Sequence, residues 1–205
     1  IDHLAIDLER RHLFVAELGN DAVGVVDLNS GRVLRTLTGF GEPQGIAYVP
    51  ATDMIYVANG GDGSVRLLRG EDLSAVSRIE LGGDADNIRV DLVANRVYVG
   101  YGSGGLAVMD PESLTRIGTI PLKGHPEGFQ LAPTGSQAYV NVPDAQEIAV
   151  VDRSSAKQVA SWPGESAFAG FPMAIDSASH RVLAVFRRPA RLRVYSQDDG
   201  KMVGD

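Results

Sequence analysis

Acidic, imidazole and amide side chains recur at one kind of place in this sequence, just before a short apolar run. Asp2-His3, Glu42-Pro43-Gln44, Asp84-Ala85-Asp86-Asn87 and His125-Pro126-Glu127 all hold that place, and Phe171-Pro172 holds it once more without a charge. Asp2, Glu42, Asp84, Asp86 and Glu127 offer hard oxygen ligands, Asn87 a neutral oxygen, and His3 and His125 imidazole nitrogens. Oxygen-rich sets of this kind suit Ca2+ or Mg2+. The carboxylates Glu42, Asp84, Asp86 and Glu127 are the expected metal ligands. Such an ion can polarise a lactone or ester carbonyl and activate water. The competing reading is that these groups cap backbone amides and form ion pairs between neighbouring elements, as Asp and Asn do in turns.

Smaller patterns narrow the chemistry. Asp84-x-Asp86 opens like a helical calcium loop, but Arg89 stands at the sixth position, where that loop requires glycine. Arg89 lies two residues beyond Asn87, on the same side of a strand, within reach of Asp86 or Glu127. It reads as a wall ion pair or as an anion contact, with Gln130 in the same hydrogen-bond network. His125, fixed between Gly124 and Pro126, can act as base or ligand. No serine or cysteine nucleophile is placed beside it, so a triad is not supported. Ser154-x-x-Lys157 falls in an exposed turn, and Gly102-Ser103-Gly104-Gly105 misses both the nucleophile-elbow and phosphate-loop patterns. The expected ligand-binding set is therefore His3, Glu42, Gln44, Asp84, Asp86, Asn87, Arg89, His125, Glu127 and Gln130, with no catalytic residue assigned.

The elements that must position these groups repeat. Short apolar strands begin at residues 3, 45, 87, 128 and 172, in steps of 42, 42, 41 and 44. Each repeat reads as four strands: 3–7, 12–18, 22–28 and 33–38 in the first, and 45–49, 54–59, 64–69 and 75–81 in the second. The third has 87–91, 96–101, 105–110 and 116–121; the fourth has 128–132, 137–142, 147–152 and 158–162. The fifth has 172–176, 181–186, 191–196 and a stub from 201. Valine, isoleucine, leucine and tyrosine fill these segments, and glycine, asparagine and aspartate fill the turns. A strand-only period of about forty residues predicts an all-β propeller of four-stranded blades. Five blades are expected, at residues 1–44, 45–86, 87–127, 128–171 and 172–205. They form one array, which either closes on itself or, as expected here, is part of a larger ring and incomplete at the C-terminal end.

Each first strand alternates. Leu4/Ile6, Ile46/Tyr48, Ile88/Val90, Phe129/Leu131 and Met173/Ile175 are apolar, while the residues between them are mostly small or polar. That suits the innermost strand of a wedge-shaped blade. Arg89 and Gln130 take the register held by Ala5, Ala47 and Ala174. Loops between blades share one face of a propeller, so the polar groups before the first strands should converge at the channel mouth, the default ligand site. A small molecule or a protein is the expected partner there.

Composition excludes several classes. A net charge of −7 repels phosphate backbones, so no nucleic-acid partner is expected. The basic run Arg187–Arg193 reads as a charged strand edge. With no cysteine, the chain has no disulfide, thiolate metal site or cysteine nucleophile. No apolar run approaches the roughly 18 residues of a membrane span, so no membrane insertion is expected.

Phe14-Val15-Ala16-Glu17, Tyr56-Val57-Ala58-Asn59, Tyr98-Val99-Gly100-Tyr101 and Tyr139-Val140-Asn141-Val142 resemble the tetrapeptide of the YVTN-repeat β-propellers. Val25-Val26-Asp27, Val108-Met109-Asp110 and Val150-Val151-Asp152 resemble that family's next strand. The whole chain is similar to the YncE-like members found in bacteria. The fifth repeat departs from the pattern, since Leu183-Ala184-Val185-Phe186 lacks the tyrosine and asparagine. The resemblance implies a seven-bladed ring and a periplasmic or secreted protein. It transfers fold better than activity. The expected function is binding or scaffolding rather than catalysis. The alternative is a metal-dependent lactonase or related hydrolase that uses the same carboxylates.

Overall fold

The computed structural model describes residues 1–164 and 166–205. Twenty strands form five antiparallel sheets of four, each in chain order, with only single 3₁₀ turns as helix among the described residues. The first sheet holds β1 (Leu4–Asp7), β2 (His12–Glu17), β3 (Ala22–Asp27) and β4 (Arg32–Thr38). The second holds β5 (Pro43–Val49), β6 (Met54–Asn59), β7 (Ser64–Arg69) and β8 (Ala75–Glu80). The third holds β9 (Ala85–Asp91), β10 (Arg96–Tyr101), β11 (Gly105–Asp110) and β12 (Thr115–Pro121). The fourth holds β13 (Phe129–Leu131), β14 (Gln137–Val142), β15 (Glu147–Asp152) and β16 (Lys157–Pro163). The fifth holds β17 (Phe168–Asp176), β18 (Arg181–Arg188), β19 (Ala190–Ser196) and β20 (Met202–Gly204). No helix of the described residues is long and apolar enough to cross a membrane.

The register is the same in all five sheets. Ala5 pairs with Phe14, Ala47 with Tyr56, Arg89 with Tyr98, Gln130 with Tyr139 and Ala174 with Leu183. A one-residue slip would turn every side chain to the wrong face, so the hydrophobic alternation fixes this pairing. Aspartates close the hairpins. Asp7, Asp91, Asp110 and Asp176 each accept hydrogen bonds from the amides two and three residues on. Each strand thus ends in a side chain that satisfies the turn amides the ladder leaves unpaired.

Three departures from the sequence reading share a cause. β5, β9 and β17 begin earlier than expected, at Pro43, Ala85 and Phe168, and each carries a register shift near its start. Pro172 reads as a strand boundary because proline cannot donate to the ladder. A bulge between Gly170 and Met173 absorbs it.

The chain divides into two compact units, residues 1–102 with 107–118, and residues 103–106 with 119–205. In the first, β5 contacts both β1 and β9, so the first strands of three blades are neighbours. Phe14, Ala16, Val23 and Val25 pack against Ile46, Ile55, Val57 and Leu68. Tyr56, Ala58, Val65 and Leu67 pack against Ile88, Val97, Val99 and Met109. Nearly every residue of the fourth strands β4 and β8 is exposed, and Leu4 and Ile6 of β1 are 55% and 47% exposed. In the second unit Trp162 seals the fourth blade to the fifth. Its ring stacks on Tyr195 at 5.9 Å and lies 5.0 Å from Tyr139, and the cluster continues through Val182, Ala184 and Phe186.

Candidate functional site

In the first unit the approach to β1 is held by two backbone bonds, Asp2 N to Ala16 O at 3.0 Å and Ala16 N to His3 O at 2.9 Å. The approach to β9 is irregular. Ile88 pairs with Val99 and Ala85 with Tyr101, so Asp86 and Asn87 together oppose Gly100 in a bulge. A bulge re-aims the side chains it carries. The result brings one potential ligand atom each from Asp2, His3 and Asp86 within 4.8 Å of one another.

Gly45 makes this approach possible. It is the residue of β5 equivalent to His3 and Asn87, and it lies between them in blade order. A Cβ built at Gly45 would overlap the carbonyl oxygen of Asp86 and sit 2.9 Å from Ile88 Cγ1. Any other residue there would push the β9 bulge away.

Asp86 and Asn87 are each 4% exposed, His3 is half-buried and Asp2 exposed. His3 Nδ1 stands 3.4 Å from Asp2 Oδ1 without the geometry of a hydrogen bond. Burial of the His3 ring opposes its protonation. The attraction of Asp2 and the charge of Asp86 outweigh that, against a smaller opposing charge from Arg89, and hold its pKa above the ordinary histidine value. Asn87 Nδ2 donates to Asp86 Oδ2 at 3.2 Å, while Asn87 Oδ1 is buried and accepts no hydrogen bond. Arg89 Nη1 donates to Ile88 O at 2.7 Å. Burial pulls its pKa down and the charge of Asp86 acts in the other direction.

The other expected site residues of this unit stand apart. Gln44 Nε2 donates to the exposed Asp84 at 3.1 Å. Glu42 is exposed, with its backbone amide on Asp21 Oδ1 at 2.9 Å. Neither Glu42 nor Asp84 joins the Asp2–His3–Asp86 group. In the second unit His125 and Glu127 are half-buried in the approach to β13, where Glu127 N donates to Asn141 O at 3.0 Å. Gln130 Nε2 donates to Met173 O at 2.9 Å, tying β13 to β17.

The opposite ends of the same first strands carry a network that reading the turns as generic overlooks. Asp7, fully buried, accepts Arg10 Nη1 at 2.8 Å together with the amides of Glu9 and Arg10. Arg10 Nη1 also reaches Tyr48 Oη at 3.1 Å and Asp53 Oδ1 at 2.8 Å. Tyr48 donates to Asp53 at 2.9 Å, and Asp53 Oδ2 accepts Glu71 N at 3.0 Å. Bonds to Asp7, Asp53 and Tyr48 hold the Arg10 pKa well above its ordinary value. Burial works against ionisation of Asp7, but Arg10 and the two amides more than offset it and lower its pKa. This network clasps the first blade to the second.

No family model and no curated protein matches the chain. Among solved structures it is similar to hydrazine synthase from Kuenenia stuttgartiensis, with a TM-score of 0.74 at 15% identity, over 98% of this chain and 67% of that one. That likeness is one of fold. Together with the five four-stranded sheets it gives this chain a β-propeller fold.

Proposed function

We propose that this β-propeller is a binding protein of the YVTN-repeat type. It takes a small polar ligand at the end of the blades where the first strands begin. One observation carries the reading: at that end the ligand atoms of Asp2, His3 and Asp86 lie within 4.8 Å of one another beside the buried, undonated Asn87 Oδ1, whereas at the other end of the same strands Asp7, Arg10, Tyr48 and Asp53 bond to one another. A buried polar atom without a partner is costly, and one lying beside converging carboxylates and an imidazole is explained by a ligand held there. His3, Asp86 and Asn87 would supply polar contacts and Arg89 an anion contact. The seven-bladed ring and the exported location that go with the family belong to the same proposal.

The test is a thermal-shift and calorimetric screen of sugar acids and small carboxylates in the presence of EDTA. The expected result is a saturable rise in Tm that Arg89→Ala weakens by about tenfold in Kd, the loss of one charge-assisted contact. A flat response across the panel, the same for wild type and Arg89→Ala, would sink the reading.

An enzymatic role rests on the paired carboxylates Asp2 and Asp86 beside an imidazole. It requires lactone hydrolysis that EDTA abolishes and Asp86→Asn impairs. Turnover indifferent to both would exclude it.

A further inference from the structure

We infer that Asp2, His3, Asp86 and Asn87 form a site for one first-row divalent cation, Mn2+ or Zn2+. The inference rests on the reading that this end of the blades is a binding surface, and it names the first ligand taken there.

Two independent observations support it. The first is convergence. Two carboxylates and an imidazole from two blades that are not adjacent in sequence place their ligand atoms within 4.8 Å of one another. Donors around a tetrahedral ion with bonds of about 2.1 Å stand roughly 3.4 Å apart. A contraction of at most about 1.4 Å closes the set, and the exposed Asp2 and half-buried His3 can supply it by side-chain rotation.

The second is the orphaned amide oxygen. Asn87 is 4% exposed and its Nδ2 bonds Asp86 Oδ2, so its planar amide lies against the cluster. Its Oδ1 is buried and has no donor. A cation beside Asp86 gives that oxygen a partner. The bond from Nδ2 then fixes the orientation of the Asp86 carboxylate, the role that outer hydrogen bonds play in metal sites.

The donor types choose the ion. Two carboxylates and an amide oxygen alone would suit Ca2+ or Mg2+, but the imidazole shifts preference to Mn2+ or Zn2+. The charges of Asp2 and Asp86 attract the cation, and that of Arg89 opposes it. Net attraction remains, with one negative charge in excess. A cation must also displace any proton on His3.

The experiment is titration of the EDTA-dialysed protein with Mn2+, with unbound Mn2+ read by electron paramagnetic resonance, and with Zn2+ read by thermal unfolding. The expected result is one Mn2+ per chain. Affinity should fall at least about tenfold in His3→Ala and in Asp2→Asn, a loss that even an outer-shell change causes. It should be unchanged in Asp27→Asn, whose carboxylate accepts Asn29 N at 3.0 Å and Ser30 Oγ at 2.6 Å in the turn after β3, at the far end. Asn87→Asp covers the case in which a buried change harms folding. It should lower Tm without metal, by setting a second charge against Asp86, and show a larger Mn2+-induced rise than wild type. Absence of Mn2+ and Zn2+ binding by wild type, or binding that all these variants retain equally, would overturn the inference. Uptake of a sugar acid in EDTA with no cation binding would overturn it while leaving the binding reading intact. Cation binding with no response to any organic ligand would do the reverse.

Discussion

At the C-terminal end of β1, Asp7 is wholly buried and its carboxylate is saturated by Arg10 and two backbone amides. At the N-terminal end of the same strand, Asp2 and His3 meet Asp86 across the gap left by Gly45, and the neighbouring Asn87 keeps a buried oxygen without a donor. Both ends gather charge from more than one blade. The difference lies in what the charges meet. At the C-terminal end Arg10 balances Asp7 and Asp53, and the network clasps two blades together. At the N-terminal end two carboxylates and an imidazole lie within 4.8 Å of one another beside an undonated amide oxygen.

The sharpest way to break this contrast is Gly45→Ala. The added methyl would overlap the Asp86 carbonyl, and backbone cannot yield as a flexible side chain can. We expect a loss of about 3 kcal/mol in urea unfolding, the upper range for overpacking a fitted interior. Cation uptake should vanish, with the far network intact. A loss under about 1 kcal/mol would mean that the close approach of β5 and β9 does not hold the bulge.

Arg10→Ala attacks the balanced end. It leaves Asp7 buried with its charge served only by amides, so about 2 kcal/mol should be lost by the same measurement. Mn2+ affinity should stay at the wild-type value. Asp2→Asn attacks the other end and should change stability by no more than about 0.5 kcal/mol, because the residue is exposed and closes no network. If Asp2→Asn costs as much as Arg10→Ala, the two ends are not different in kind.

Acid and base separate the ends further. The folded pKa of Asp7 lies below its ordinary 3.8, so its stabilisation is complete above that value and is lost as pH falls through the folded pKa. The stability gap between wild type and Asp7→Asn should therefore close on acidification. The folded pKa of His3 lies above 6.5, so its contribution is complete below 6.5 and lost as pH rises through the folded pKa. A proton NMR titration should place the His3 midpoint above 6.5 in the wild type and lower in Asp86→Asn. A midpoint that ignores Asp86→Asn would show that the two residues do not sense each other.

The architecture was legible because it is written five times. Each first strand alternates, and the equivalence of Arg89 and Gln130 to Ala5, Ala47 and Ala174 follows from counting alone. The pairing of all five with Phe14, Tyr98, Tyr139 and their counterparts bears that out. The membership of the cluster was less legible. Glu42, Asp84 and Asp86 occupy similar places before their strands, and nothing in their types says that only Asp86 lies in a bulge facing His3. The available signal was glycine at position 45, where the flanking blades carry His3 and Asn87. The Arg10–Asp53 pair escaped because it spans 43 residues at a place where each repeat shows ordinary turn chemistry. A repeat tells which residues are equivalent, and it is silent on which long side chain crosses to the next blade.

The bulges at the starts of β5, β9 and β17 have a consequence for anyone wishing to re-engineer the chain. A bulge is a place where the ladder has already taken in extra backbone and resumed its register within a few residues, as β9 does by Ile88 and β17 by Met173. Upstream of each bulge the ladder still pairs, Pro43 with Asn59, Ala85 with Tyr101 and Gly170 with Phe186, so the extra residues are taken in without loss of the blade's register. Three such starts of different composition, those of β5, β9 and β17, already sit on ladders of one register. That makes these three strand starts grafting points, at which new recognition residues can be installed one blade at a time.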